Sequence, residues 1–346
     1  MLWFLTSVPQ RLYKSSFRMV PFCWILADAG KIGSQNQAIG LVERMKWPFN
    51  LHCIDLPRIA FRAQQERWVQ ELEHHPPYPS IVVSAGRRSH PVAVLFKKRH
   101  PEVFSIALLN PYRSLPNFDL AIAPEHENLR GPNVLSIQGV LHRITTEKLR
   151  EGLQQQDFST LRRPLLGVLI GGISKHYNWT RSAAESLMAH CLPFVPLTPP
   201  RFRVLITALQ KLHDEGWSVV VLPSRRTPIW LIKELERCVA AHSFVVVARE
   251  TGALNPYISV LAASDALLVT ADSVSMISEA CATRKPVYVF HLAGFSRKLA
   301  AFHNALYQSG SVRPFQGFID RCWKPVRKES AWETVVATKV RDFFRQ

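Results

Sequence analysis

The sequence predicts an α/β protein made of two Rossmann-like, doubly wound parallel-sheet domains facing a cleft, followed by a C-terminal helix. Three observations carry this. Short Val-, Ile- and Leu-rich runs recur and end in Gly, Ser, Asp or Arg, as strands buried on both faces do. An amphipathic segment follows most of these runs, and such alternation places helices on both faces of a parallel sheet. A polar, strandless stretch, 145–163, divides the pattern in two.

In the first half, strands are expected at 22–27, 51–54, 81–84, 104–109, 120–123 and 134–137. Helices are expected near 34–46, 61–74 and 91–99. The second half restarts with Leu165–Ile170, followed by strands at 218–222, 244–248, 266–270 and 287–290. Its helices are expected near 201–215, 229–241, 257–263, 274–283 and 298–308, and a further helix at 329–345. The organisation is therefore an N-terminal extension (1–20), a first domain (21–150), a linker (151–163), a second domain (164–325) and a C-terminal helix (326–346).

Composition narrows the partners. The 346 residues hold 43 Lys+Arg against 26 Asp+Glu, a formal charge of +17, yet 47% are hydrophobic and 20% charged. A disordered basic tail lacks that apolar content. The charge must lie on folded surfaces, where it favours nucleic acid, phosphorylated small molecules or acidic membrane. No zinc finger, RNP-like aromatic motif or basic helix of the usual kind supports nucleic acid. The six cysteines include no CxxC pair and read as reduced thiols. No apolar run reaches the length of a bilayer span.

Residues 1–20 join an apolar head, Leu2 to Leu5, to Arg11, Lys14 and Arg18, with no acid before Asp28. The basic residues follow the apolar run, the reverse of a secretory signal. An organelle-targeting peptide, an interfacial anchor and a plain extension stay open.

Several loops at strand ends suit anion chemistry. Asp28 to Gln37 (DAGKIGSQNQ) follows the first strand, and its glycines permit a tight turn and close approach of a ligand to a helix start. It is neither a Walker A loop nor GxGxxG. Gly171-Gly172-Ile173-Ser174-Lys175 ends the first strand of the second half and suits phosphate. Ser84 to Pro91 (SAGRRSHP) and Ser224 to Pro228 (SRRTP) each set an Arg pair at a strand's carboxyl end, where ligands of doubly wound sheets bind. The planar guanidinium fork matches phosphate oxygens.

Thr270-Ala271-Asp272-Ser273-Val274-Ser275 leads from a buried strand into a helix that Asp272 or Ser273 caps, with Glu279 four residues beyond Ser275 on the same helical face. That order sets an anion at the helix start and a ribose diol one turn along. The plain alternative is a cap and a solvated glutamate. Glu125-His126-Glu127 follows a strand, and His126 suits a general base, with a solvated loop as its alternative. Adjacent residues rarely converge on one ion, so no metal is assigned.

ADAGKIGSQNQAIGL, SAGRRSHPVA, LLNPYRSLPNFDLAIAPEHE, LLGVLIGGISK, LPSRRTP, NPY and TADSVSMISEACATRKPV resemble the mitochondrial-fission family named for elongated mitochondria in plants, which has many bacterial members. The resemblance covers roughly residues 22–320. It implies, for plant members, recruitment of a dynamin-related protein at the outer mitochondrial membrane, and for bacterial members a glycosyltransferase. The second half also resembles the nucleotide-sugar domain of GT-B glycosyltransferases. That resemblance implies diphosphate at Ser273 and Ser275 and ribose at Glu279. Arg284 stands where those relatives usually have Gly.

The leading expectation is a metal-independent GT-B-type glycosyltransferase whose donor is a nucleotide-diphosphate sugar and which needs no other cofactor. Gly171, Gly172, Ser174, Ser224, Arg225, Arg226, Thr270, Asp272, Ser273, Ser275 and Glu279 would hold the nucleotide. Gly30, Lys31, Gly33, Gln37, Arg87 and Arg88 would face the acceptor, and His126 or Asp28 would accept its proton. The expected setting is cytoplasmic, peripheral to an anionic membrane, or the outer mitochondrial membrane surface. The rival is a non-catalytic adaptor on the same scaffold.

Overall fold

In this computed structural model the described residues are 20–57, 59–156, 158–173, 177–179, 200–242, 245–246, 256–326 and 332–345. Residues 1–19 of the extension, Ser174 and Lys175 lie outside them.

The first half is a six-stranded parallel sheet of β1 (Cys23–Asp28), β2 (Phe49–Ile54), β3 (Ile81–Ala85), β4 (Phe104–Leu108), β5 (Leu120–Pro124) and β6 (Val134–Ile137), in the order β2-β1-β3-β4-β5-β6. Side chains alternate across β1. Cys23, Ile25 and Ala27 join the core under α1 (Ile32–Met45), while Trp24 and Leu26 join the core under α2 (Arg62–Leu72) and α3 (Ser89–Arg99). Every β1 residue is buried, so the strand reads as one apolar run rather than an alternating one.

The second half repeats the plan. Its sheet holds β7 (Leu165–Ile170), β9 (Ser218–Pro223), β10 (Val245–Val246), β11 (Ala266–Thr270), β12 (Val287–Phe290) and β14 (Arg313–Pro314), all parallel, in the order β10-β9-β7-β11-β12-β14. The order reverses between β7 and β11, as it does between β1 and β3, and such a reversal opens a crevice at the strands' carboxyl ends. The short antiparallel pair of β8 (Tyr177–Asn178) with β13 (Ala293–Gly294) was not expected. It joins the segment after β7 to the segment after β12, so it spans the end of β11, which lies between those strands.

One expectation changes and another is met. The strandless stretch taken as a linker contains a helix, α4 (Thr146–Gln155), whose Thr145 hydroxyl accepts from Lys148 N at 3.2 Å. It packs on α7 (Pro256–Ala263) so closely that a side-chain carbon on Gly152 would lie 2.7 Å from Ile258 Cγ2. The helix expected at 329–345 is α10 (Trp332–Phe343), and it completes the first half: Val336 and Val340 are buried in that half's core, and Phe343 meets Phe104 edge to face at 5.1 Å. The remaining helices are α5 (Pro200–Asp214), α6 (Ile229–His242), α8 (Val274–Ala282) and α9 (Arg297–Gln308). Among the described residues no helix is long and apolar enough to cross a membrane.

Candidate functional site

The crevice of the second half is sewn together by three loops. Thr270 Oγ1 donates to Asp272 Oδ1 at 2.7 Å and accepts from Gly171 N at 2.7 Å. Asp272 Oδ2 accepts from Gly172 N at 3.1 Å and from Arg226 Nη2 at 3.0 Å. Thr227 Oγ1 donates to the carbonyls of Gly171 (2.8 Å) and Ile170 (3.0 Å) and accepts from Ser224 N at 2.9 Å. Burial pushes the Asp272 carboxyl up; Thr270, Arg226 and the Gly172 amide pull against that.

The two glycines are required by contact. A side-chain carbon on Gly171 would fall 2.1 Å from Asp272 Oδ1, and one on Gly172 would fall 1.9 Å from the Arg226 carbonyl. This differs from the expected free phosphate cradle. The Gly171 and Gly172 amides are already bonded to Thr270 and Asp272, because the loop folds around the protein's own carboxylate.

Ser273 caps α8, its hydroxyl accepting from Met276 N at 3.4 Å. Val274 and Ser275 open that helix, where amides have no acceptor within the helix. Ser275 faces the first half: a carbon added to Gly33, in the first turn of α1, would lie 3.5 Å from Ser275 Oγ. Two helix starts, one from each half, thus meet. Gly30 forms the turn before α1 with φ +72°, Lys31 N donates to the Asp28 carbonyl at 3.2 Å, and Gln35 Nε2 donates to the same carbonyl at 3.0 Å. Gln37 is buried within α1. Further along α8, Ser278 Oγ accepts from Val140 N at 3.2 Å, another contact across the halves.

Glu279 lies one turn past Ser275, as its spacing implies, but it is partnered. The Tyr257 hydroxyl of α7 donates to its carboxylate. Burial raises the Glu279 pKa to about 7, and Tyr257 opposes the rise. Tyr257 lies in the NPY motif, and nothing in its spacing from Glu279 signals the pairing.

In the first half, Asp28 Oδ1 accepts from Arg88 N (3.0 Å) and Ser89 N (2.9 Å), so it caps α3 from another strand. Gly86 makes room for it, since a side-chain carbon there would lie 2.3 Å from Asp28 Cγ. Arg87 stacks on the Tyr112 ring, 4.6 Å from its centroid, and also donates to its hydroxyl. Of the two Arg pairs expected to face phosphate, Arg87 is thus bound to Tyr112 and Arg226 to Asp272. Arg225 is exposed.

His126 occupies a short 3-10 turn, Glu125–Glu127, pressed against α9. Its ring meets Phe302 edge to face at 5.0 Å, and its neighbour Glu127 pairs with Lys298 at 2.5 Å. Burial, with a smaller contribution from Lys298, lowers the His126 pKa to about 4, and Glu127 opposes the fall. The structure therefore places His126 in the seam between the halves. It sits beside His303, a buried residue that the sequence reading did not single out.

Two facing Rossmann-like halves, with α10 packed back on the first, make this a GT-B-like α/β protein. Its candidate site is the cleft where Gly33 meets Ser275. Comparison with known families matches residues 32–196 and 194–342 to mitochondrial fission ELM1, and the chain belongs to that family. It is 30% identical over 268 residues to mitochondrial fission protein ELM1 of Arabidopsis thaliana, covering 70% of this chain and 58% of that one. The chain thus spans less than two thirds of that relative. It is 22% identical over 338 residues to RP120 of Rickettsia prowazekii, covering 84% of this chain and 90% of the relative. Similar solved structures include MurG of Acinetobacter baumannii, at 10% identity and TM-score 0.49, covering 93% of this chain and 92% of that one. The UDP-GlcNAc 2-epimerase of Methanocaldococcus jannaschii is similar at 13% identity and TM-score 0.49, covering 92% and 98%.

Proposed function

We propose that the cleft binds a nucleoside-diphosphate sugar and that the protein transfers the sugar to an acceptor docked on the first half. The meeting of the α1 and α8 starts, Gly33 against Ser275, carries this reading. Amides at a helix start attract anionic oxygens, and here two such starts, each following the carboxyl end of a strand, lie close together. The diphosphate would lie on the α8 start with Ser273 and Ser275, and Arg225 and Arg226 would offset its charge as it leaves. The acceptor hydroxyl would attack the anomeric carbon as the bond to the diphosphate breaks. For the proton acceptor we prefer Asp28 to His126, because the His126 ring is sealed against Phe302. The basic surface suits an acceptor held at an anionic membrane.

Calorimetric titration with UDP, GDP and CMP, and with their sugars, tests this. Binding weakened by Glu279→Ala is expected, and no binding of any of them overturns the reading.

A second reading is favoured by the filled glycine cradles. Asp28 sits in that of Gly86 and Asp272 in that of Gly171, and an internal carboxylate competes with an anionic ligand at each. On this reading the scaffold acts by contacts alone, with a dynamin-related protein or an anionic membrane. It expects undetectable nucleotide binding together with membrane recruitment that is lost on deleting residues 1–20.

A further inference from the structure

The seam between the halves buries histidines that the binding site does not use. His126, from the first half, lies on Phe302 of α9, with ring centroids 5.0 Å apart. The next residue on α9, His303, is 1% exposed, and among the described residues neither of its ring nitrogens makes a hydrogen bond of good geometry. Its ring stands 5.2 Å from that of His291, whose Nε2 lies 2.7 Å from the Tyr307 hydroxyl.

The charged groups around these rings offer little to a proton. Facing His126 are Glu125 and Glu127 on its own turn and Lys298 and His303 from α9, and Glu127 is already paired with Lys298. Among the described residues, His126, His291, Tyr307 and the main chain at Ala271 stand around His303, with no carboxylate among them. The Ala271 main chain favours a proton on His303 and Glu127 favours one on His126, but burial outweighs both, so a charged ring is unfavourable here.

We infer that the seam is a proton-sensitive latch: the halves close only while His126 and His303 are neutral, so acidification opens the cleft and parts Gly33 from Ser275. The burial that disfavours the charged rings holds both pKa values near 4 in the closed form. Opening parts His126 from Phe302 and from His303, and a histidine returned to water titrates near 6.5. Closed-state pKa values lie below the open-state ones, so closure is fully favoured above about 6.5 and weakens as pH falls toward about 4. One such ring multiplies the open-to-closed ratio by roughly 30 between pH 8 and pH 5.

Small-angle X-ray scattering of the full chain tests this, with circular dichroism reporting the fold. The radius of gyration is expected to rise reversibly between pH 6.5 and pH 5 while secondary structure is kept. His126→Phe and His303→Leu should each move that rise to lower pH. An unchanged radius at pH 5, a rise that coincides with loss of secondary structure, or variants that open at the wild-type pH would each overturn the latch. Hydrogen exchange on the unmodified chain reads the same event without a variant. The Val140 amide, bonded to Ser278 across the seam, should lose protection at pH 5 relative to its intrinsic rate. Protection that persists there would also overturn the latch.

Discussion

Gly33 and Ser275 face each other across the cleft with room for one carbon between them: a Cβ on Gly33 would touch Ser275 Oγ at 3.5 Å, an ordinary contact. Gly33→Ala should therefore fold normally, with stability raised by up to about 1 kcal/mol because alanine suits a helix better. Gly33→Leu exceeds the space and would hold the halves apart. UDP affinity measured by calorimetry should fall about tenfold, equivalent to about 1.4 kcal/mol, with the melting temperature nearly unchanged. Equal affinity in both variants would place the ligand elsewhere.

Asp272 ties the three loops of the second crevice through Gly172, Arg226 and Thr270. Asp272→Ala leaves these donors unsatisfied and should cost roughly 2–4 kcal/mol in urea denaturation. Asp272→Asn keeps part of the bonding and removes the negative charge. If the carboxylate stands where an anion would otherwise sit, pyrophosphate should bind Asp272→Asn more tightly than the unmodified chain in a direct titration.

Two glycines with positive φ separate strain from crowding. At Gly216 (φ +90°) no described residue lies within 4 Å of an added carbon. Gly216→Ala should cost about 1–2 kcal/mol, the backbone penalty alone. At Gly86 (φ +139°) the carbon would strike Asp28 Cγ at 2.3 Å. Gly86→Ala should lower the denaturant midpoint clearly more than Gly216→Ala, by displacing the cap on α3.

Glu279 gives a signed pH dependence. Its pKa in the fold is about 7, against 4.5 when unburied. The folded state therefore holds a proton that the unfolded chain has lost, and stability from this group falls as pH rises from about 4.5 to 7. Glu279→Gln keeps an acceptor for Tyr257 and never ionises. It should be more stable than the parent at pH 8, by up to about 3 kcal/mol, and close to it at pH 4.5. Parallel curves for the two proteins across that range would contradict the buried carboxyl.

Strands such as β1, β3, β7 and β11 were legible because each is an apolar run buried on both sides. α4 was not, because its sequence TEKLREGLQQ is polar and its fully buried residue is Gly152, whose value lies in having no side chain. β8, β13 and β14 hold two residues each, too few for any pattern. At the site, residue types were readable and partners were not. Asp28 caps a helix start 61 positions away, and Asp272 reaches back 100 positions to the Gly172 amide. Local spacing carries no trace of such pairings, so both carboxylates read as candidate reactive groups when one of their tasks is to fasten loops.

The docking of α10 on the first half has a consequence for synthesis. Val336, Val340 and Phe343 fill a core whose first strand begins at Cys23. With the ribosome adding roughly 5–20 residues per second, the first sheet must wait some tens of seconds after β6 emerges before its covering helix exists. During that interval the apolar face under α10 lies open, while the second sheet assembles downstream. A chain cut short before residue 332 and released from the ribosome should therefore carry a finished second half and an uncovered first one. That is the reverse of the order in which the two were translated, and the uncovered face is where a chaperone would bind.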